Sequence, residues 1–89
     1  MLTFPAVVTH AQALETARGL NAQVTSEAAA VVLDASALTQ FDSSTLAVML
    51  ACRRQAMAAG KTFSVLGLPA RLSQLAGLYG VAELVPPAL

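Results

Sequence analysis

The chain has 89 residues, enough for one small domain with a single modest core. It is 56% hydrophobic and only 11% charged, against about 25% charged residues in average globular domains. Five basic and five acidic residues cancel, so the composition gives no electrostatic reason to expect a nucleic-acid or anionic-membrane partner. We therefore expect one domain over residues 1–89 that leaves apolar surface for a protein partner, or for a second copy of itself when isolated.

Two further classes are excluded by simple counts. Cys52 is the only cysteine, which rules out an internal disulfide and a cysteine-based zinc site, and its apolar helical setting predicts a buried, unreactive thiol. The longest stretch without polar or charged residues, 46–52, is far shorter than the ~18 residues that span a bilayer, so no direct membrane insertion is expected.

The first basic residue is Arg18 and Pro5 interrupts the opening apolar residues, so we expect no signal peptide and a cytoplasmic location.

The N-terminal part of the chain predicts an edge strand followed by a helix. Residues 1–8 contain a short apolar run, in which Pro5 is acceptable only at a sheet edge. Thr9 and Gln12 have capping-box spacing for a helix over residues 10–24, that is, His10 to Val24. The apolar stripe of this helix consists of Ala13, Leu14, Ala17, Leu20 and Val24.

The centre of the chain predicts a buried strand, a polar loop and a long helix. The β-branched run within residues 29–33 is typical of a strand covered on both faces. Asp42 precedes an Ala-rich segment without Gly or Pro until Gly60, so it is a natural N-cap for a helix from Ser43 to Ala59. At about 100° per residue, one broad arc of that helix should face the sheet: Leu46, Val48, Met49, Cys52 and Ala56.

The C-terminal part predicts a strand at 62–66, a helix at 69–76 with Pro69 at its first position, a last turn at 81–84 and a short strand at 84–85. Three basic residues should complement the dipole at the end of the central helix: Arg53, Arg54 and Lys61. The alternation of strands and helices calls for parallel neighbours joined by right-handed crossovers. The fold class is therefore α/β, with a mostly parallel or mixed sheet of about four strands and three main helices.

The first turn of the central helix is the strongest candidate for a functional site. With Asp42 as the cap, three hydroxyl residues fill this turn: Ser43, Ser44 and Thr45. The free backbone N–H groups and the positive end of the dipole then face whatever approaches. The side of the helix away from the core carries Ala47, Ala51 and Arg54, and its first three turns have no charge. This surface indicates a docking site for another protein, although alanine is also simply the best helix former.

The sequence contains no residue pattern that is typical of a catalytic site. A nucleophilic serine needs a base, yet the only histidine, His10, starts a different helix, where we expect a solvated side chain. Asp34 and Asp42 could approach each other across the loop, but paired carboxylates in such a small domain are more often caps. There is no Walker A motif and no Gly-rich phosphate loop. We predict a protein that is not an enzyme and that uses no cofactor or metal.

The same segments resemble the STAS domain family. The matching segments are Leu33-Asp34-Ala35-Ser36, Phe41-Asp42-Ser43-Ser44, the helix from Leu46 to Arg54, Gly60-Lys61, and the later runs 66–69 and 78–84. Together they span roughly residues 28–86. STAS domains usually begin with an additional strand and end with a further helix, so the resemblance implies a version of the fold that is trimmed at both ends.

The resemblance also implies a role for the hydroxyl that follows Asp42. In the family this residue, here Ser43, is the phosphorylatable or partner-docking hydroxyl. The short length, the Ala-rich helix and the ending at 78–86 look most like the small STAS subunit of the phospholipid ABC transporter that maintains outer-membrane lipid asymmetry. That subunit docks on the cytoplasmic ATPase, so the implied role is to stabilise or activate an ATPase that drives phospholipid traffic.

Two alternative functions also fit the sequence. One is an anti-sigma-factor antagonist that is switched by a serine kinase. In those proteins the motif is commonly Asp-Ser-Ser-Gly, whereas Thr45 stands here in place of the glycine and makes close approach by a kinase harder to assume. The other is a homodimer without any further partner, which the composition does not exclude.

Overall fold

The computed structural model describes residues 1–88. The strands are β1 (Leu2–Thr3), β2 (Val7–Val8), β3 (Ala30–Asp34), β4 (Gln40–Phe41) and β5 (Thr62–Leu66). The helices are α1 (Ala13–Val24), α2 (Ser43–Ala58) and α3 (Ala70–Leu78), and a 3-10 turn follows at Ala82–Leu84.

All the strand pairs are parallel, and they form two sheets. The larger sheet has the order β1-β3-β5, and β2 pairs with β4 separately. An isolated parallel bridge between Val65 and Pro87 extends the larger sheet beyond β5. The α/β class with three helices and parallel strands is therefore confirmed, with the strands divided between two sheets instead of one sheet of about four.

The helices lie on one face of the larger sheet. Each crossover, from β1 to β3, from β3 to β5 and from β5 to Pro87, advances in the same direction, and right-handed crossovers of that kind keep their helices on one side. The burial alternates accordingly: Val31 and Leu33 are fully buried, whereas Val32 between them is only half-buried. The prediction that this strand is covered on both faces was therefore wrong.

The core forms where α1 and α2 pack on each other and on the sheet. All five residues predicted to face inward from α2 are buried: Leu46, Val48, Met49, Cys52 and Ala56. Burial raises the pKa of the Cys52 thiol to about 11, in keeping with an unreactive side chain. Leu14, predicted in the stripe of α1, is instead 65% exposed. It lies about 100° around the helix from Ala13, outside the narrow arc of the buried Leu20 and Val24.

The N-terminal element boundaries differ from the predictions for local reasons. The predicted edge strand over residues 1–8 is broken around Pro5 into β1 and β2, which join different sheets. The Gln12 side chain accepts hydrogen bonds from the backbone N–H and the hydroxyl of Thr9, at 3.0 and 2.6 Å. Only the first of these belongs to the predicted capping box, because the Gln12 N–H donates to the Thr9 carbonyl at 3.0 Å instead of to the Thr9 hydroxyl. These bonds close a turn that precedes α1, so the helix begins at Ala13 rather than at His10.

The C-terminal boundaries differ as well. Pro69 is the N-cap of α3 rather than its first residue, and α3 continues to Leu78. The short strand predicted at 84–85 is replaced by the 3-10 turn and by the bridge at Pro87. There the N–H of Val65 donates to the carbonyl of Pro86, and the N–H of Ala88 donates to the carbonyl of Val65, so the missing N–H of Pro87 costs nothing.

Lys61 stabilises a different helix from the one predicted. Its ammonium group donates to the carbonyl oxygens of Val24 at 2.9 Å and Thr25 at 3.2 Å, and also to that of Glu27. The first two carbonyls lie at the end of α1, and that of Glu27 lies in the connection that follows. The last turn of α2 carries no basic residue. The side chain therefore ties the start of β5 to the end of α1.

Candidate functional site

The small β2–β4 sheet assembles the candidate site. Val8 of β2 pairs with Phe41 of β4, so the residues that follow the two strands arrive at the same edge. The backbone N–H of His10 donates to the carboxylate of Asp42 at 3.0 Å, and the Ser44 hydroxyl lies 3.5 Å from Nδ1 of His10. His10 is exposed, as predicted. The prediction that it lies away from the serines of the central helix was wrong.

Asp42 caps α2 as predicted. Its carboxylate accepts from the backbone N–H of Ser44 at 2.8 Å, and its own N–H donates to the Thr45 hydroxyl at 3.2 Å, which completes a capping box. The hydrogen bond from His10 N–H lowers the pKa of Asp42 most, and the bonds from Ser44 lower it further. A carboxylate held ionised at this position also complements the positive end of the helix dipole.

Thr45 points into the protein. Its side chain is fully buried, and its hydroxyl donates to the carbonyl oxygen of Val8. Thr45, which was named among the docking residues, therefore turns its hydroxyl away from the surface of the protein. This residue anchors the first turn of α2 to β2 because a buried hydroxyl must find an acceptor.

The outward side of α2 borders an apolar groove. Ser43, Ala47 and Arg54 are exposed, and Ser44 and Ala51 are half-buried. We call the concavity beside Ser43 the α2 groove; it has a volume of about 330 Å³. Its lining consists of Ser43, Leu46, Ala47, Leu50, Tyr79 and Val81.

Four of these lining residues were not predicted as site residues, and one of them, Leu46, was predicted to face the core. Leu50 follows Leu46 by one helical turn, so the spacing of the sequence does place it beside the groove. Tyr79 and Val81 follow α3 and reach the groove only because α3 packs against α2. No local pattern in the sequence indicates that contact.

The side chains of His10, Asp42 and Ser44 do not have the geometry of a catalytic triad. The carboxylate of Asp42 binds the backbone N–H of His10, so it does not orient the imidazole ring toward a nucleophile. Asp34 has separate partners: its carboxylate accepts from the N–H and the hydroxyl of Ser36, which lowers its pKa. Residues 1–88 contain no group of three or more side chains suited to hold a metal ion.

A comparison with protein-family profiles identifies the family to which this fold belongs. The family profile described as "Mlab, STAS domain" matches residues 6–86. The chain belongs to the STAS domain family, MlaB type. The curated proteins contain no match to it. STAS domains of this type are generally non-catalytic and generally mediate protein–protein interactions. Within the described part of the chain, no helix is both long and apolar enough to cross a membrane.

Proposed function

We propose that this MlaB-type STAS domain is a non-enzymatic accessory subunit that binds, and stabilises or activates, the cytoplasmic ATPase of an ABC transporter for phospholipid trafficking. It would lie in the cytoplasm, peripheral to the inner membrane through that partner. One observation carries the proposal: an exposed serine at the N-terminus of α2 borders an uncharged apolar groove. The family match to an MlaB-type domain supports the choice of partner class.

The chemistry of the groove suits an apolar side chain of a partner. None of its six lining residues is charged, and Tyr79 on its rim is 60% exposed. Burying one leucine-sized side chain contributes about 2 kcal/mol to a complex. The proposed docking surface consists of Asp42, Ser43, Ser44, Ala47, Ala51 and Arg54, with Thr45 as its internal anchor.

The test is reconstitution with the ATPase subunit of a phospholipid ABC transporter from the same genome. We expect the two chains to co-purify, and we expect the ATPase to gain thermal stability or turnover. Ala47→Glu places a carboxylate at the groove and should abolish the complex. Ala58→Glu, on an exposed position at the other end of α2, is the matched control and should bind normally. Equal binding by both variants would exclude the groove as the docking site.

The anti-sigma-factor alternative uses the same serine. The exposure of Ser43 at the start of α2 leaves it accessible to a kinase, which is the one structural observation that favours this alternative. The experiment that separates the two is incubation with a serine kinase encoded beside a sigma factor in the same genome. Stoichiometric phosphorylation of Ser43 that releases an anti-sigma factor would establish the alternative. Binding to the ATPase by unmodified protein would contradict it.

A further inference from the structure

A second, larger concavity lies between α3 and the β2–β4 sheet. Its volume is about 530 Å³, within the range of roughly 300–1,000 Å³ that is usual for small-molecule sites. Leu78 lines this concavity, whereas the next residue, Tyr79, lines the α2 groove. The larger concavity shares no lining residue with the α2 groove, and we call it the Arg71 pocket.

The two ends of the Arg71 pocket differ in chemistry. One wall is a single face of α3, on which Arg71 and Gln74 precede Leu75 and Leu78. Leu78 follows Arg71 by seven positions, which correspond to about 10 Å along the helix axis. The helix therefore presents a cationic, hydrogen-bonding end and an apolar end to the same space.

The opposite wall supplies complementary groups. Thr39 and Gln40 provide a hydroxyl and a carboxamide, and Phe41 provides an aromatic surface. No aspartate or glutamate lines the pocket. The one salt bridge within residues 1–88 joins the N-terminal amino group to Glu27, so Arg71 has no carboxylate partner there.

We propose that the Arg71 pocket binds a small amphipathic anion, a carboxylate or a phosphate monoester attached to a short apolar body. The guanidinium of Arg71 holds the acid group, because its fork of N–H donors matches carboxylate and phosphate oxygens. The apolar body lies against Phe41 and Leu78. This proposal goes beyond the docking function and uses different residues, so either one can fail without the other.

The test is a nuclear magnetic resonance titration of the full chain with four probes: n-hexyl phosphate, hexanoate, hexanol and inorganic phosphate. We expect saturable shifts of amide signals in α3 and β4 with the two amphipathic anions, and their relative affinities distinguish a phosphate site from a carboxylate site. Hexanol lacks the charge and inorganic phosphate lacks the apolar body, so both should bind at least tenfold more weakly, or about 1.4 kcal/mol.

Matched variants locate the binding. Arg71→Gln should weaken hexyl phosphate at least tenfold, and Arg18→Gln is its control, because Arg18 is exposed on α1 and lines neither concavity. Leu78→Ser should weaken hexyl phosphate without changing the response to inorganic phosphate. Its control is Leu14→Ser, since Leu14 is 65% exposed on α1 and Leu78 is 81% exposed.

Four outcomes would overturn the proposal. They are the absence of saturable shifts with both amphipathic anions, unchanged binding by Arg71→Gln, hexanol binding as tightly as hexyl phosphate, and inorganic phosphate binding as tightly as hexyl phosphate. Arg71 and Leu78 are both exposed, so we expect each variant to melt like the wild-type protein. A loss of affinity can then be assigned to the pocket.

Discussion

Ser43 is the residue on which the docking proposal is most sharply tested. It is exposed at the first position of α2, directly after the ionised cap Asp42. A negative charge here stabilises the isolated helix by about 0.3–1 kcal/mol. Burying that charge against a partner costs several kcal/mol unless a basic group meets it. We therefore expect Ser43→Glu to keep or raise the melting temperature while weakening ATPase binding at least tenfold, or about 1.4 kcal/mol.

The controls for Ser43→Glu separate position from charge. Ser43→Thr keeps the hydroxyl and should be mild, and Ser44→Ala should be milder than Ser43→Glu. Ser73→Glu adds the same charge to an exposed serine in the first half of α3 and should leave ATPase binding unchanged. Wild-type affinity for Ser43→Glu, measured by calorimetry, would place the docking site elsewhere.

Asp42 gives the protein a predictable response to acid. Its pKa is lowered in the folded state, mainly by the N–H of His10, so it stabilises the fold at pH values above the ordinary aspartate pKa of about 4. This contribution is lost as the pH falls through the lowered folded-state pKa. Asp42→Asn keeps a capping side chain without the charge, whereas Asp42→Ala removes the cap.

The measurement is the melting temperature of these variants from pH 7 to pH 3. We expect wild type to melt above Asp42→Asn at pH 7, with the difference shrinking below about pH 4. Asp42→Ala should melt lowest at neutral pH. A difference between wild type and Asp42→Asn that stays constant down to pH 3 would contradict the assignment of the pKa shift to the folded state.

At the scale of elements, the loops after β3 and β5 meet at a close contact. Gly67 follows β5 with φ of +68°, and a Cβ atom there would lie 2.7 Å from Cβ of Ser36. Gly60, after α2, has a similar φ of +74°, but a Cβ atom there would meet nothing within 4 Å. The two glycines therefore share a backbone conformation and differ in their surroundings.

This pair separates backbone strain from steric overlap. Gly60→Ala should lower the free energy of unfolding by about 1 kcal/mol, because a left-handed conformation disfavours a side chain. Gly67→Ala should lower the free energy of unfolding by clearly more than Gly60→Ala does. The atoms that a Cβ at residue 67 would overlap include backbone atoms of Ser36, which cannot rotate away. Urea denaturation measures both. Equal losses of unfolding free energy in the two variants would mean that the loops after β3 and β5 can move apart without an energetic cost.

The whole molecule leaves apolar surface without a cover. The helices occupy one face of a parallel sheet, although parallel sheets are usually covered on both faces. Val32 and Leu66 lie half-buried on the other face. The exposed Leu78 adds apolar surface at the Arg71 pocket, and the exposed Tyr79 adds apolar surface at the α2 groove. We expect the isolated domain to self-associate, or to be unstable until its partner is added.

Sedimentation velocity over a range of concentrations tests this expectation. Tyr79→Ser should reduce association if the α2 groove is the contact, and Val32→Thr should reduce it if the open sheet face is the contact. Threonine keeps the β-branched shape that suits a strand, so Val32→Thr changes polarity more than structure. A sharply monomeric wild-type protein, with melting unchanged by the ATPase, would argue against the expectation.

The sequence alone determined the features that depend on neighbouring residues. Asp42 as a cap, α2 from Ser43 to within one residue of its end, the inward arc of α2 and the exact bounds of β5 all follow from capping, periodicity and a β-branched run. These signals act over a few residues and are readable in one segment. The STAS resemblance added their order and spacing.

Only the tertiary structure determined which distant segments of the chain are in contact. β2 and β4 have two residues each, too few to show any periodicity, yet their pairing brings His10 to Asp42 and Ser44 and gives Thr45 the carbonyl of Val8. The packing of α3 on α2 likewise brings Tyr79 to the groove. Contacts between residues more than 30 positions apart depend on how elements pack, and no local pattern records them.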